Sequence, residues 1–255
     1  MGAPMTASVL PPTQESLARA ADILRMGGLV AMPTETVYGL ACDGTNADAV
    51  AGLYEAKGRP RFNPLIAHVA SQQIAEREAV FSPLARKTAE HFWPGPLTLV
   101  LPVAQTGKVC DLARAGLDTI ALRRPAHPVA QALLEKFGDP LVAPSANRSG
   151  HVSPTTAEHV RADLAGRVAM ILDGGPCARG LESTIVSFAG EAPVLLRAGA
   201  IATDDLEAFL GQPLTRLETN ASINAPGQLK SHYAPRASLR LNAATPMSGE
   251  GYLGF

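Results

Sequence analysis

The chain has 255 residues and a formal net charge of −1, and 46% of its residues are hydrophobic. This composition supports a packed core, and it excludes a disordered chain and a protein attracted to nucleic acid by its net charge. No apolar run approaches the roughly 20 residues that a membrane span needs, and the N-terminus MGAPMTASVLPPTQ lacks the pattern of a secretory signal. We therefore expect a folded, cytoplasmic protein with no membrane partner.

Helical and extended patterns alternate along most of the chain. Residues 14–26 show helical periodicity and end at Gly27-Gly28, and Ser82-Pro83 has the cap and first-position residues of a helix start. Further helices are predicted at 47–56, 83–92, 128–137, near 156–165 and at 204–210, and strands at 29–33, 65–69, 97–102, 119–125, 141–146, 169–175, 183–188 and 194–199. Interleaved short strands and helices indicate the α/β class.

The last two predicted strands, STIVSF and VLLRAG, are joined only by AGEAP, which favours an antiparallel pair and hence a mixed sheet. After Gly211 the periodic pattern fades. We predict a domain over residues 1–211, a linker over 212–235, and a segment over 236–255 that is too short for a domain of its own.

The three cysteines, Cys42, Cys110 and Cys177, lie far apart and show no metal-ligand spacing. We expect them to be small core residues. The common nucleotide-binding and zinc-protease signatures are also missing, so a ligand site must use dispersed polar side chains at strand ends and in stiff loops.

Four segments have that character, and each also permits a plain structural interpretation. They are PTETVYGL (33–40), KGRPRFNPLIAHV (57–69), LVAPSANRSG (141–150) and the pair ESTIVSF and VLLRAG (182–188 and 194–199). Turn and helix-cap chemistry explains hydroxyl and amide clusters as well as ligand binding does.

The second segment places Lys57, Arg59 and Arg61 around a glycine and a proline and then enters an apolar strand. A stiff loop lowers the entropy cost of bringing three cations onto one anion, although a solvated basic loop is the usual alternative. Arg123 and Arg197 follow apolar strand residues, where an arginine is expected only when it is paired or faces a ligand. His68 in its apolar strand is also explained by a satisfied core histidine.

The blocks PTETVYGL, KGRPRFNPLIAHV, FWPGPLTLVL, ALRRPAHP, APSANRSG, ESTIVSF, LLRAGAI and HYAP occur in this order over roughly residues 14 to 235. Together they resemble the YrdC-like family of threonylcarbamoyl-AMP synthases, and the linker with HYAP resembles its two-domain branch. In that branch a whole second domain follows, so residues 236–255 would be the start of an incomplete C-terminal domain. The resemblance implies an α/β fold with a twisted mixed β-sheet, flanking helices and a concave basic pocket.

The activity that this resemblance implies combines L-threonine, bicarbonate or CO2, and ATP into threonylcarbamoyl-AMP and pyrophosphate. The product would pass to tRNA threonylcarbamoyl-transferase machinery. Mg²⁺ would enter on the ATP phosphates, with no metal ligand expected from the protein.

The resemblance also implies the site residues. The catalytic tetrad would be Lys57, Arg59, Ser145 and Asn147; ATP would bind to these four and to Asn63, Thr119, Arg197 and Tyr233; and L-threonine would bind to Thr34, His68, Arg123 and Ser183.

Two other interpretations stay open at this stage. One is a non-enzymatic module that binds double-stranded RNA, for which the low cation content is unfavourable, and a weak RNA affinity beside the enzymatic activity belongs to the same idea. The other is a relative that forms a carbamoyl-adenylate for a different acceptor.

Overall fold

The computed structural model describes residues 7–164, 166–216 and 238–251. Seven helices lie in these ranges: α1 (Gln14–Arg25), α2 (Ala47–Lys57), α3 (Gln72–Glu78), α4 (Pro83–Phe92), α5 (Pro128–Phe137), α6 (Ala157–Leu164) and α7 (Thr203–Leu210). The eleven strands of the same ranges are β1 (Ser8–Leu10), β2 (Val30–Met32), β3 (Gly39–Asp43), β4 (Ile66–His68), β5 (Leu97–Pro102), β6 (Thr119–Arg123), β7 (Leu141–Val142), β8 (Met170–Leu172), β9 (Thr184–Ser187), β10 (Val194–Arg197) and β11 (Thr215–Arg216).

The strands form one sheet in the order β1-β8-β2-β3-β7-β4-β6-β5-β9-β10-β11. Parallel pairs such as β4 with β6 alternate with antiparallel pairs such as β5 with β6 and β9 with β10. The predicted α/β class with a mixed sheet is therefore confirmed, as is the antiparallel pairing of the last two predicted strands.

Helices cover the two faces of the sheet unequally. Leu17 of α1 and Leu133 of α5 pack on one face in a cluster that includes Met32 and Leu141 of the sheet. Residues of α2, α3, α4, α6 and α7 pack on the other face in the largest cluster, which also holds Trp93. Alternation along β4 splits its residues between these faces, because Ala67 points into the largest cluster and Ile66 belongs to a third, small cluster.

That third cluster joins Ile66, Val100, Ala121 and Ile185, which come from four neighbouring strands, β4, β6, β5 and β9. These residues lie on the face opposite the largest cluster and beside the α1–α5 layer. This part of the sheet positions the candidate site.

Local chemistry explains the helix ends that the sequence predicted. Ser82 accepts a hydrogen bond from the backbone N–H of Ala85 at the start of α4, with Pro83 in the first turn. Gly138 ends α5 with φ at 89°, a left-handed conformation that costs glycine little.

Four short elements escaped the sequence prediction: β1, β3, α3 and β11. The three cysteines are free; Cys42 belongs to the core, and Cys110 and Cys177 are half-buried and pack against it. Within the described ranges no helix is long and apolar enough to cross a membrane.

Candidate active site

An open cleft with about 440 Å³ of empty space lies on this face of the sheet, where strand-end loops meet. It is lined by Thr36, Val37, Arg59, Ile66, His68, Arg123, Ala143, Pro144, Ser145, Glu182, Ser183 and Arg197. All lining residues except Arg123 come from the four segments that the sequence singled out, although these segments are far apart along the chain.

Sheet register places two of the predicted threonine-binding residues side by side. His68 of β4 pairs with Arg123 of the parallel strand β6, so both side chains stand on the cleft face. Alternation along β6 puts Thr119 on the same face as Arg123, four residues earlier and about 13 Å away at the usual rise per residue. Thr119 itself is not part of the cleft wall.

Arg123 is buried and held on three sides. Its Nε donates to the carbonyl oxygen of Gly95 at 3.2 Å, one terminal nitrogen donates to Thr36 Oγ1 at 2.9 Å, and the other donates to Glu35 Oε1 at 2.6 Å. The second oxygen of Glu35 accepts the backbone N–H of Ala126 at 3.1 Å. Burial lowers the pKa of Arg123, and the charge of Glu35 acts in the opposite direction.

Arg197 is held by an equivalent set of contacts. Its guanidinium donates to the Glu182 carboxylate, to the carbonyl oxygen of Ser183 at 3.1 and 2.9 Å, and to Ser183 Oγ at 3.0 Å. Glu182 also accepts a hydrogen bond from the Ser153 hydroxyl at 2.8 Å. Both cleft arginines that end a strand, Arg123 and Arg197, are therefore oriented by a carboxylate.

Lys57 is the last residue of α2, and Gly58 ends the helix with φ at 59°. The Lys57 ammonium is buried and donates to the carbonyl oxygens of Ser145 and Asn147. Burial, with a further contribution from the charge of Arg59, lowers the pKa of Lys57 from 10.5 to about 7.

Arg59 follows on the same loop and lines the cleft. Its guanidinium donates to the carbonyl oxygens of Asn63 at 3.3 Å and Pro64 at 3.0 Å. Burial lowers the pKa of Arg59 to about 10, so the group stays charged at neutral pH. Arg61 is exposed and lies outside the cleft wall, so the structure brings two of the three loop cations together.

His68 is uncharged at neutral pH. Burial, and next the charge of Arg123, lower its pKa to about 3. Because a carbonyl oxygen can only accept, its Nδ1 donates to the carbonyl oxygen of Ile66 at 3.2 Å. The neutral imidazole of His68 therefore adds no charge beside the guanidinium of Arg123.

Two buried amides near the basic loop keep free hydrogen-bonding capacity. Neither side-chain polar atom of Asn63 has a partner among the described residues, and the same holds for Asn147 Oδ1. The Asn147 amide nitrogen donates to the carbonyl oxygens of Arg148 and His151 at 2.9 and 2.8 Å. Buried amides without partners are uncommon in native structures and are typical of places that a ligand or water completes.

Six of the predicted site residues line the cleft: Arg59, His68, Arg123, Ser145, Ser183 and Arg197. Lys57, Asn63 and Asn147 are buried outside the residues of that wall. Thr34 is also set back, because its hydroxyl donates to the Val37 carbonyl oxygen at 2.6 Å. Tyr233 lies outside the described residues.

Glu35, Thr36 and Glu182 lie in segments that the sequence singled out, but no role was predicted for these three residues. Glu35 is the single carboxylate of PTETVYGL, and Glu182 opens ESTIVSF. The sequence shows a carboxylate in a hydroxyl-rich strand-end loop, but nothing local identifies its arginine partner.

The described residues include no group of three or more His, Cys, Asp or Glu side chains that could hold a metal ion. The cleft instead combines oriented arginines, a neutral histidine and small hydroxyl groups, and a buried lysine of lowered pKa and two buried amides lie close to it in the chain. In an α/β fold, such a set of groups suits the binding of anionic ligands and the stabilisation of negative charge.

Comparison with known proteins gives the family. The Sua5/YciO/YrdC family model, described as Telomere recombination, matches residues 22–199, and a model described as Threonylcarbamoyl-AMP synthase, C-terminal domain, matches residues 201–250. The chain belongs to the Sua5/YciO/YrdC family and, within it, to the threonylcarbamoyl-AMP synthases. The family predicted from the sequence, its two-domain branch and its enzymatic nature are confirmed.

Individual relatives agree with this assignment. The chain is 46% identical over 244 residues to the threonylcarbamoyl-AMP synthase of Bacillus subtilis, covering 93% of this chain and 69% of the relative, and 39% identical to that of Schizosaccharomyces pombe, covering 91% and 65%. The crystal structure of Pyrococcus abyssi Sua5 complexed with L-threonine superimposes with a TM-score of 0.85 at 42% identity, covering 91% of this chain and 69% of that one. The chain thus spans about two thirds of the length of these relatives.

Proposed function

We propose that the cleft combines L-threonine, bicarbonate or CO2, and ATP into threonylcarbamoyl-AMP and releases pyrophosphate. The observation that supports this most directly is that one cleft brings His68, Arg123 and Ser183 together with Arg59, and that the buried Lys57 lies two residues before Arg59. The family assignment and the threonine complex of the Pyrococcus abyssi relative support the same reaction.

The reaction places several anions in one site. The threonine amine first adds CO2 and loses a proton, and an oxygen of the resulting carbamate then attacks the α-phosphorus of ATP while pyrophosphate leaves. Repulsion among the carboxylate, the carbamate and the triphosphate opposes this approach. Catalysis therefore rests on cations and donors held in place, and no covalent nucleophile is required.

The threonine end is assigned to Arg123, His68, Ser183 and Thr34. Arg123 has terminal N–H groups beyond those that bind Glu35 and Thr36, and a planar guanidinium can meet a carboxylate with two parallel hydrogen bonds. The neutral imidazole of His68 adds a polar contact without a competing charge. Thr34 acts on the pocket through the loop that its hydroxyl closes onto Val37.

The ATP end is assigned to Lys57, Arg59, Asn63, Ser145 and Asn147, with Arg197, Thr119 and Tyr233 completing nucleotide contacts. The buried, unpartnered amide groups of Asn63 and Asn147 support this placement because a ligand would supply the missing partners. Burial disfavours the charged form of Lys57, so a triphosphate beside this ammonium would stabilise its charge.

Synthesis from ATP in this family suggests that a metal ion takes part, and we propose that it is Mg²⁺, entering as the counter-ion of the substrate. Phosphate oxygens and water supply most Mg²⁺ ligands in ATP sites. The cleft fits this arrangement because its carboxylates, Glu35 and Glu182, are engaged by arginines.

The product is a mixed anhydride, so we propose that a tRNA threonylcarbamoyl-transferase system consumes it in the cytoplasm. Within the chain we propose a catalytic domain over 1–211, a linker over 212–235 and the beginning of a further domain over 236–255.

The test is pyrophosphate release from the purified chain with ATP, Mg²⁺ and bicarbonate, with and without L-threonine. Release that depends on threonine supports the proposal. Release that ignores threonine, or hydrolysis of carbamoyl phosphate, would favour a relative with another acceptor. Tight, salt-sensitive binding of duplex RNA with no ATP turnover would favour an RNA-binding module.

A further inference from the structure

Thr98 is a fully buried polar residue in the second position of β5. It pairs in register with Ile185 of β9, and continuation of the β5–β6 register by one step beyond Leu99 and Leu122 brings it opposite Arg123. A hydroxyl thus stands in the same cross-sheet row as Arg123 and His68, although Thr98 is not part of the cleft wall.

The hydroxyl of Thr98 lies 2.8 Å from the hydroxyl of Ser183, which lines the cleft. Among the described residues, this is the only hydrogen bond that the Thr98 side chain forms. A buried hydroxyl that cannot donate its proton costs about 1–3 kcal/mol, so Thr98 donates and Ser183 Oγ accepts.

Ser183 Oγ also accepts an N–H of Arg197 at 3.0 Å. A serine oxygen has two lone pairs and one proton. With both lone pairs occupied, one by Thr98 and one by Arg197, the remaining capacity of Ser183 is its O–H, which is left to donate into the cleft.

We propose that Thr98 is a positioning residue that fixes Ser183 as a hydrogen-bond donor toward bound substrate. The inference rests on the proposed function, because it concerns the amino-acid end of that site. A Ser183 that donates contacts an oxygen of the carboxylate or carbamate, and it does not accept from the ammonium group. Thr98 therefore helps select the negatively charged side of the amino acid.

The test uses Thr98→Val, which keeps the β-branched shape and removes the hydroxyl, and Thr98→Ser, which restores a hydroxyl. L-threonine affinity is measured by calorimetry, and folding is checked by circular dichroism and thermal unfolding. Loss of one hydrogen bond predicts a three- to ten-fold weaker affinity, roughly, for Thr98→Val, with recovery in Thr98→Ser.

A double-mutant cycle separates this role from a general packing role. If Thr98 acts through Ser183, then Thr98→Val has no further effect on affinity in a Ser183→Ala background. Equal losses in both backgrounds, or a Thr98→Val protein that binds threonine as the parent does, overturn the inference. A parent chain that does not bind L-threonine overturns the proposed function itself, and the inference falls with it.

If Thr98→Val fails to fold, Thr98→Cys and Thr98→Ala provide smaller changes for the same comparison. Their affinities must follow the ability of residue 98 to donate to Ser183, with the weak donor cysteine between serine and alanine. An order that follows side-chain volume instead contradicts the proposal.

Discussion

The two ends that we propose for the cleft hold their cations in different ways. At the amino-acid end, Arg123 forms an ion pair with the carboxylate of Glu35. At the phosphate end, Lys57 and Arg59 donate to backbone carbonyl oxygens, and neither has an ion pair among the described residues.

The kind of partner decides whether a bound cation keeps its net charge. A carboxylate partner fixes a guanidinium and cancels most of its field, which suits recognition of a small amino acid by geometry. Carbonyl oxygens fix a cation without cancelling its charge, which suits a triphosphate with several negative charges. The cleft is thus a selective end joined to a charged end.

The largest effect is expected at the charged end. Arg59→Ala should lower the rate of threonine-dependent pyrophosphate release about 100-fold or more, because it removes a preorganised donor from the reacting phosphates. The matched control is Arg61→Ala on the same loop, whose side chain is exposed and outside the cleft wall. Full activity of the Arg59 variant, or equal losses in both, would show that the loop acts only as a basic surface.

At the selective end, Glu35→Gln should lower the free energy of unfolding by about 3 kcal/mol, because it leaves the buried charge of Arg123 without its partner. Urea unfolding measures the change. Glu158→Gln, which breaks the exposed pair with Arg161, is the control and should leave the unfolding curve unchanged. A curve for Glu35→Gln that matches this control would remove the structural distinction between the two ends.

The lowered pKa of Lys57 predicts a link between ATP binding and protons. The folded chain binds this proton less tightly than the unfolded chain, so Lys57 makes stability rise as pH increases from about 7 toward 10.5. Bound ATP should return Lys57 to its charged form, so binding at about pH 8 should take up protons, less than about one per ATP.

Calorimetry in two buffers of different ionisation enthalpy measures this uptake. Lys57→Met should abolish it, and the pH dependence of stability above pH 7 should become flatter in that variant. The same binding enthalpy in both buffers for the parent chain would mean that Lys57 does not change charge on binding.

The smallest effect concerns selection between threonine and serine. One methyl group in a pocket is worth about 1 to 3 kcal/mol, so competition kinetics should show a modest preference for threonine. Equal use of serine would mean that the selective end recognises the backbone groups of the amino acid and ignores its side chain.

Much of the fold could be predicted because its signals are local. Ser82 with Pro83 and Gly138 each mark a helix end through their own backbone chemistry. Strand β3 was missed because GLACD is short, lacks β-branched residues and directly follows a segment with turn character. Helix α3 spans only seven residues, too few for a clear periodic pattern.

For the site, too, local features could be predicted from the sequence and long-range contacts could not. Polar residues at strand ends could be identified from the sequence, but the ion pair of Glu35 with Arg123 joins residues 88 positions apart. Sheet order decides that contact, and no local pattern encodes it. The resemblance supplied residue identities, whereas the donor direction of Ser183 depends on hydrogen bonds that become visible only with the fold.

The row formed by His68, Arg123 and Thr98 crosses three adjacent strands, β4, β6 and β5. Adjacent strands are about 4.8 Å apart, so the row spans about 10 Å. Backbone hydrogen bonds between the strands fix the spacing of its three side chains. Substitution of one of these residues changes the chemistry of its side chain but leaves its backbone position unchanged. An enzyme built this way can acquire a preference for a different small amino acid through side-chain changes alone, while the distances that align the reacting groups stay fixed.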